Sequence, residues 1–153
     1  MSIMWKYLDK RLATVAAIKD FTNMRFIINS TDDEIKRAYD KMTGVAGTNW
    51  EGMPRVHNPK AGEERMLNGI EEIDILKERY RQAMEYMDWF KPAWAQLSDE
   101  DKYVLDAFYG SEKNYGCNAA YYVADYLNIE PSTAYKRKSR ALERLTVLLF
   151  GKG

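Results

Sequence analysis

Apolar positions in the last third of the chain recur at helical spacing on both sides of a short polar break. Before and within the break they form one set: Val123, Ala124, Leu127 and Ile129. Pro131 suits the first position of a helix, because its missing N–H has no partner there and its φ is already helical. A second set follows and defines one buried face: Ala134, Ala141, Leu142, Leu145, Leu148 and Leu149. Residues 118–149 therefore predict a short helix, a tight turn and a longer helix.

The first forty residues show two helical patterns. A helix over residues 3–28 is indicated by apolar residues three and four positions apart: Trp5, Leu8, Leu12, Val15 and Ile18. The Asn29-Ser30 pair interrupts this pattern. Residues 31–34 read Thr-Asp-Asp-Glu, which is a capping box, so a shorter helix is expected from there to about Met42.

A heptad seam dominates the middle of the chain, within a long helix expected over residues 60–91. Its positions step by three and four residues: Ile73, Leu76, Tyr80, Ala83, Met87, Phe90 and Trp94. Pro92 is expected to end or kink this helix. A heptad pattern fixes how helices pack but not which partner they pack with. The seam could therefore pack on residues 5–18 of the same chain or form a homo-oligomer with a second subunit.

Loops and caps complete the predicted architecture. Residues 44–59 are rich in Gly, Pro and Asn, and their length indicates a mobile segment. Residues 98–101 read Ser-Asp-Glu-Asp, which resembles a capping box and opens a helix expected over residues 99–109. The predicted fold is all-α: a helical hairpin or coiled-coil-like part over residues 1–95, then a small helix-turn-helix domain over residues 96–153.

Composition narrows the class of protein. The chain has 153 residues, of which 46% are hydrophobic, enough for one folded domain or two small ones. No apolar run approaches the ~20 residues that a membrane span needs, and the N-terminus carries no signal-peptide pattern. A single cysteine, Cys117, excludes an internal disulfide framework. We therefore expect a cytoplasmic protein without membrane association.

The residue types that catalysis would need are scarce in the sequence. The one histidine, His57, lies in the loop of residues 44–59, and no His/Cys cluster has the spacing of a zinc site. The sequence contains no serine elbow and no phosphate-binding glycine loop. We therefore predict no catalytic residues, no metal site and no cofactor, and do not expect an enzyme.

The net charge of the chain is zero, but the charge is unevenly distributed. Residues 131–153 contain six basic residues and one acid, a net charge of +5. Residues 98–130 contain seven acids and two lysines, a net charge of −5, whereas residues 1–97 balance at fifteen of each sign. The cationic segment coincides with the longer C-terminal helix, whose local field would attract a polyanion such as DNA. Taken by itself, the charge also fits the solvated face of an ordinary helix.

The face of that helix opposite its apolar residues is polar and then cationic, as in a helix that enters the major groove. Lys136 could contact guanine or a phosphate, or be an ordinary solvated lysine, and Lys138 and Arg140 are candidates for phosphates. Ser132 and Thr133 could contact DNA or cap the helix. The predicted DNA-binding residues are Ser132, Thr133, Tyr135, Lys136, Arg137, Lys138 and Arg140. Three tyrosines of the shorter helix offer either a surface toward the DNA backbone or amphipathic packing: Tyr121, Tyr122 and Tyr126.

Two segments of the C-terminal half resemble a known DNA-binding region. Residues 97–110, LSDEDKYVLDAFYG, and residues 123–145, VADYLNIEPSTAYKRKSRALERL, are similar to the fourth region of bacterial sigma factors. The chain looks still more like the small phage and prophage regulators of the ArpU/RinA late-transcription group. A Gly-Met-Pro-Arg stretch at residues 52–55 is similar to one between two helices in related phage proteins. The resemblance implies sequence-specific binding to double-stranded DNA and control of phage transcription, with RNA polymerase as a further partner.

The chain departs from that pattern at two positions. Arg137 stands where an aliphatic residue usually faces the core, so its stem could lie over the core while its guanidinium reaches outward. Glu130 stands at the helix cap, where Ser or Thr is usual. The sequence has no visible counterpart of the promoter-melting region, so a complete sigma factor is not expected.

Two other functions fit the same sequence. Small terminase subunits of phages also join a helix-turn-helix to an oligomerising helical part, so a DNA-packaging component is one alternative. A module that has kept a sigma-like fold only to bind another protein is the other. A ring of many subunits would favour packaging, whereas a monomer or dimer would favour regulation.

Overall fold

The protein is all-helical throughout the residues that the computed structural model describes, which are 8–43, 61–110 and 115–151. These ranges contain no strand, and they form five α-helices: α1 Lys10–Thr43, α2 Ala61–Ala95, α3 Asp99–Tyr109, α4 Ala119–Leu127 and α5 Pro131–Phe150. A short 3₁₀ turn, Gly116–Asn118, precedes α4. None of the described helices is long and apolar enough to cross a membrane. The predicted loop of residues 44–59, with its Gly-Met-Pro-Arg stretch and His57, lies outside the described residues.

The chain forms two compact units, and α1 and α2 contribute to both. The large unit comprises Met1–Met24 and Glu85–Gly153, and the hairpin unit comprises Arg25–Met84. The predicted boundary after residue 95 does not coincide with this grouping. Side chains on both sides of that boundary share one core in the large unit, among them Phe90 and Leu145.

The first helix begins later than predicted. Asp9 caps α1, because its carboxylate accepts a hydrogen bond from the N–H of Leu12 at 3.1 Å. Ile18 is buried as predicted, but Leu8 and Leu12 are 54% and 67% exposed. Besides Ile18, the side of α1 that is buried in the large unit carries small residues, which a search for large apolar side chains overlooks: Thr14 and Ala17.

The interruption predicted at Asn29-Ser30 is wrong, because α1 continues through it to Thr43. The Ser30 hydroxyl donates to the Glu34 carboxylate at 2.9 Å, within the helix. Thr31 is buried, and its hydroxyl donates to the Ile27 carbonyl one turn earlier instead of capping a new helix. These side-chain hydrogen bonds allow polar residues to remain inside a continuous helix.

The hairpin unit is formed by the second part of α1 and the first part of α2. Met42 lies against the backbone of α2 at Gly69, where an added Cβ would come within 2.0 Å of the Met42 Cγ atom. Ala38 is buried on α1, and the seam residues Ile73 and Leu76 are buried on α2. The predicted burial of this part of the seam is confirmed.

The last part of the seam, at Phe90 and Trp94, packs in the core of the large unit. Phe90 is 2% exposed, and its ring lies 5.8 Å from Phe21 and 5.7 Å from Trp94, measured between centroids. The Tyr86 hydroxyl donates to the Ala17 carbonyl, and burial raises the pKa of Tyr86 above its usual range. This core contains side chains of α1, α2, α3, α5 and the connection between α2 and α3: Ala17, Ile18, Phe90, Ala93, Leu97, Leu105, Ala141, Leu142, Leu145 and Leu149. The heptad seam therefore packs against other side chains of the same chain.

Of the two outcomes expected at Pro92, a helix end is wrong, because α2 runs on to Ala95. A proline inside a helix leaves the carbonyl of residue i−4 without its N–H partner. Here residue i−4 is Asp88, and both Asp88 and Pro92 are exposed, so water can satisfy that carbonyl. Ala93 and Trp94 pack in the core directly after the proline, which stabilises the last helical turn.

A local cap sets the start of α3 as predicted. The Ser98 hydroxyl accepts a hydrogen bond from the N–H of Asp101 at 3.2 Å. We expect Ser98→Ala to reduce the free energy of unfolding by about 1 kcal/mol, because one N–H at the helix start loses its acceptor. Urea denaturation of the variant measures this loss. Ser98→Asp keeps an acceptor at the cap and should retain wild-type stability, and equal losses in both variants would contradict a capping role.

Candidate nucleic-acid interface

The connection between α4 and α5 is three residues long and ends α4 sharply. Asn128 adopts a left-handed conformation with φ 52°, a region that Asn tolerates better than most residues. The N–H of Ile129 donates to the Ala124 carbonyl at 3.0 Å and closes the end of α4. Glu130 is extended and precedes Pro131, the first residue of α5, as the sequence predicts. The turn therefore brings α5 directly back against α4.

Three helices pack around the core that orients this turn. Helices α3, α4 and α5 enclose a buried set of small and β-branched residues: Val104, Ala107, Ala120, Val123, Ala124 and Ala134. Ala134 is fully buried in the first part of α5, and Ala141 and Leu145 are fully buried further along. The predicted inner face of α5 is confirmed except at Leu148, which is 44% exposed. Thr146 is buried on that face in addition.

This packing leaves a stripe of polar side chains on the outer side of α5, which we call the polar stripe: Ser132, Lys136 and Arg140. They are four residues apart and all exposed, and Tyr135 beside them is 50% exposed. Neither Lys136 nor Arg140 forms an ion pair with a carboxylate in the described part of the chain. Thr133 is only partly exposed. Four of the seven predicted residues therefore share one exposed surface.

Arg137 and Lys138 are engaged within the protein. The Arg137 guanidinium lies 2.7 Å from the Glu100 carboxylate in the first turn of α3, and its side chain is 27% exposed. The Lys138 ammonium lies over three rings, 5.1 Å from the centroid of Phe108, 5.4 Å from Tyr135 and 5.9 Å from Tyr109. Both side chains thus connect α5 to α3.

A third cation of α5 neutralises a buried acid. The Arg144 guanidinium lies 2.7 Å from the carboxylate of Asp101, whose side chain is 3% exposed. An ionised carboxylate at this depth needs such a partner, because burial without one is costly. Of the five basic residues in α5, only Lys136 and Arg140 therefore carry their charge on the polar stripe.

Two tyrosines of α4 stack on tyrosines outside that helix, and all three α4 tyrosines stay exposed. Tyr126 stacks on Tyr103 of α3 at 3.9 Å between centroids, and Tyr122 stacks on Tyr115 at 4.2 Å. Desolvation, and then interaction with the Tyr115 hydroxyl, raise the pKa of Tyr103. All three α4 tyrosines nevertheless remain exposed, with Tyr121 at 65%. Tyr122 and Tyr126 are therefore exposed rings, each stacked on a tyrosine outside α4.

Comparison with known proteins adds no relative to this description. No family model, curated protein or solved structure matches the chain.

Proposed function

We propose that this protein binds double-stranded DNA in a sequence-specific manner, with the first turns of α5 in the major groove, and regulates transcription in the manner of phage-type regulators. The observation that carries the proposal is the polar stripe, which presents a hydroxyl and two cations on the outer side of a helix that follows a three-residue turn. An α-helix fits the width of the major groove, and its first residues can reach base edges there.

The three side chains of the polar stripe suit different parts of DNA. Lys136 lies in the second turn of α5, where an ammonium can bind the O6 and N7 atoms of guanine. Arg140 lies one turn further from the helix start, which suits a contact with a phosphate. Ser132 lies in the first turn, where its hydroxyl can bond a phosphate or a base.

The other two predicted cations take a different role in this proposal. Arg137 and Lys138 hold α5 against α3 through Glu100 and Phe108, so they orient the polar stripe. A helix held in this way presents its contacts with little loss of conformational entropy on binding. We therefore assign the direct DNA contacts to Ser132, Lys136 and Arg140, with Tyr135 and Thr133 at their edge.

The regulatory part of the proposal rests on the resemblance to sigma region 4 and to the ArpU/RinA group. In that role RNA polymerase would be a second partner. The alternatives are a DNA-packaging component and a module that binds only another protein. Selective binding to a DNA sequence would exclude the protein-interaction module.

We expect a selection from random duplexes to enrich a defined sequence, because in this proposal Lys136 contacts base edges. Binding to the enriched duplex should weaken steeply with salt, with a slope of about −0.9 in log K against log salt for each neutralised phosphate. Fluorescence anisotropy at several salt concentrations measures the affinity for the enriched duplex and the slope of that affinity with salt. A selection that enriches nothing, together with a flat salt dependence, would overturn the proposal and leave the protein-interaction module.

A further inference from the structure

Helix α2 carries a second heptad pattern in addition to its buried seam. Seven positions step by four and three residues and are all exposed, and we call them the outer stripe: Glu63, Leu67, Ile70, Asp74, Lys77, Arg81 and Met84. The whole outer stripe lies in the hairpin unit. A stripe with this spacing faces one direction along a slightly supercoiled helix, as helices in coiled coils do.

Between Leu67 and Met84 the outer stripe is apolar at both ends and charged in its middle. Leu67 is 66% exposed, Ile70 is 46% exposed and Met84 is 37% exposed. Single exposed apolar residues are ordinary on a protein surface, but three at heptad positions of one helix are typical of a helix that packs on another. Asp74 and Lys77 occupy the centre of the stripe.

The charge of α2 also changes sign along the hairpin unit. Five acids and one arginine lie between residues 63 and 74: Glu63, Glu64, Arg65, Glu71, Glu72 and Asp74. Three basic residues and one acid lie between residues 77 and 81: Lys77, Glu78, Arg79 and Arg81. A helix that is acidic at its start and basic further along is complementary to a second copy of itself that runs in the opposite direction.

We propose that the outer stripe pairs with the outer stripe of a second copy of this chain in an antiparallel, two-fold symmetric arrangement. In this register Asp74 of each copy lies opposite Lys77 of the other. Each stripe residue from Leu67 to Met84 then lies opposite a stripe residue of the other copy. Leu67 then faces Met84 of the other copy, and Ile70 faces Arg81. The symmetry makes each of these pairs occur twice.

The charges select this arrangement over a parallel one. In a parallel pair each residue meets its own copy, so Asp74 would face Asp74 and Lys77 would face Lys77, which is repulsive.

Arg81 already binds the Glu78 carboxylate of its own helix at 2.7 Å. Its aliphatic stem therefore covers Ile70 of the other copy while its charge stays in water.

The length of the stripe fits such a pair. The paired residues 67–84 span about 26 Å at 1.5 Å per residue, which is about two and a half heptads. A central layer of charged residues lowers the stability of a coiled coil but fixes its register and orientation. The dimer is separate from the proposed DNA binding, because the polar stripe lies on α5 in the large unit.

Charge reversal in the full-length protein tests the pairing, with sedimentation equilibrium as the readout and circular dichroism to confirm the fold. The wild type should be a dimer. Asp74→Lys and Lys77→Asp should each weaken the dimer at least about tenfold, because each places like charges opposite one another.

Mixing the two variants should restore the dimer. In the heterodimer the introduced lysine of one copy faces the introduced aspartate of the other, and the native Lys77 faces the native Asp74. The double variant Asp74→Lys/Lys77→Asp should likewise dimerise, because it exchanges the two charges and keeps opposite signs in contact. A mixture of the reversed variants that stays monomeric would overturn the proposal.

The apolar layers have their own matched pair of variants. Leu67→Glu should weaken the dimer, whereas Ile75→Glu should not, because Ile75 is 55% exposed but lies outside the outer stripe. A monomeric wild type or an assembly larger than a dimer would also overturn the proposal. These measurements contain no DNA, so a failure of the proposed DNA binding does not alter their outcome.

Discussion

Replacing Phe90 by alanine is expected to reduce the free energy of unfolding of the large unit by about 3–5 kcal/mol. The Phe90 side chain is 2% exposed, and three aromatic side chains surround it: Phe21, Tyr86 and Trp94. Alanine would leave a cavity that these rings fill only in part. A loss of this size is a large fraction of the stability of an ordinary domain.

The same substitution at Phe26 provides the control. Phe26 lies on α1 in the hairpin unit and is 65% exposed, so Phe26→Ala should change the stability by no more than about 0.5 kcal/mol. Urea denaturation followed by circular dichroism measures both variants. Equal losses at the two positions would contradict the assignment of Phe90 to the core.

The core around Phe90 also predicts the behaviour of a shortened protein. A fragment of residues 96–153 lacks Ile18, Phe90 and Ala93, and so exposes the apolar side of α5 at Leu142 and Leu145. We expect this fragment to lose cooperative unfolding, although the sequence pattern suggested it as a separate domain. A fragment with a sharp urea transition would show that α3, α4 and α5 are sufficient.

Elements with local signals could be predicted from the sequence. The start of α3 follows from Ser98, whose hydroxyl caps the helix, and the start of α5 follows from Pro131. The apolar periodicity of α5 identified Ala134, Ala141 and Leu145 as buried. Each of these signals acts over one or two helical turns, so a single sequence contains it in full.

Elements decided by distant contacts could not be predicted in the same way. Pro92 ends a helix by its own preference, but the burial of Ala93 outweighs that preference. Thr14 of α1 is buried because its hydroxyl lies 2.9 Å from the hydroxyl of Thr146 on α5, 132 positions away. Hydrophobic periodicity contains no information on such a polar contact.

The candidate site shows the same division. The outward direction of Ser132, Lys136 and Arg140 follows from the periodicity of α5, whereas the partner of Arg137 lies 37 positions away at Glu100. A sum of charges over residues 131–153 therefore overstates the positive charge on the polar stripe. The acids of residues 98–130 that oppose it in the sequence include the partners of two of its arginines, Arg137 and Arg144.

Because the cations of α5 have different surroundings, removing each of them should change DNA binding in a different way. Lys136→Ala should cost about 1–3 kcal/mol of binding at the specific DNA site and less at random DNA, as expected for a base contact. Arg140→Ala should weaken binding to all sequences about equally and make the salt slope shallower by roughly one unit, as expected for a phosphate contact. Both side chains are exposed, so the melting temperature should not change.

Arg137→Ala removes the same charge from the same helix and serves as the matched control. Its ion pair with Glu100 is partly exposed, so the variant should lose no more than about 1 kcal/mol of stability and keep the salt slope of the wild type. Fluorescence anisotropy with a specific and a random duplex, over a range of salt concentrations, separates the three variants. If Arg137→Ala made the slope as shallow as Arg140→Ala does, the protein would be responding to its total charge alone. The polar stripe would then not be the recognition surface, because recognition requires that the position of each cation on α5 matters.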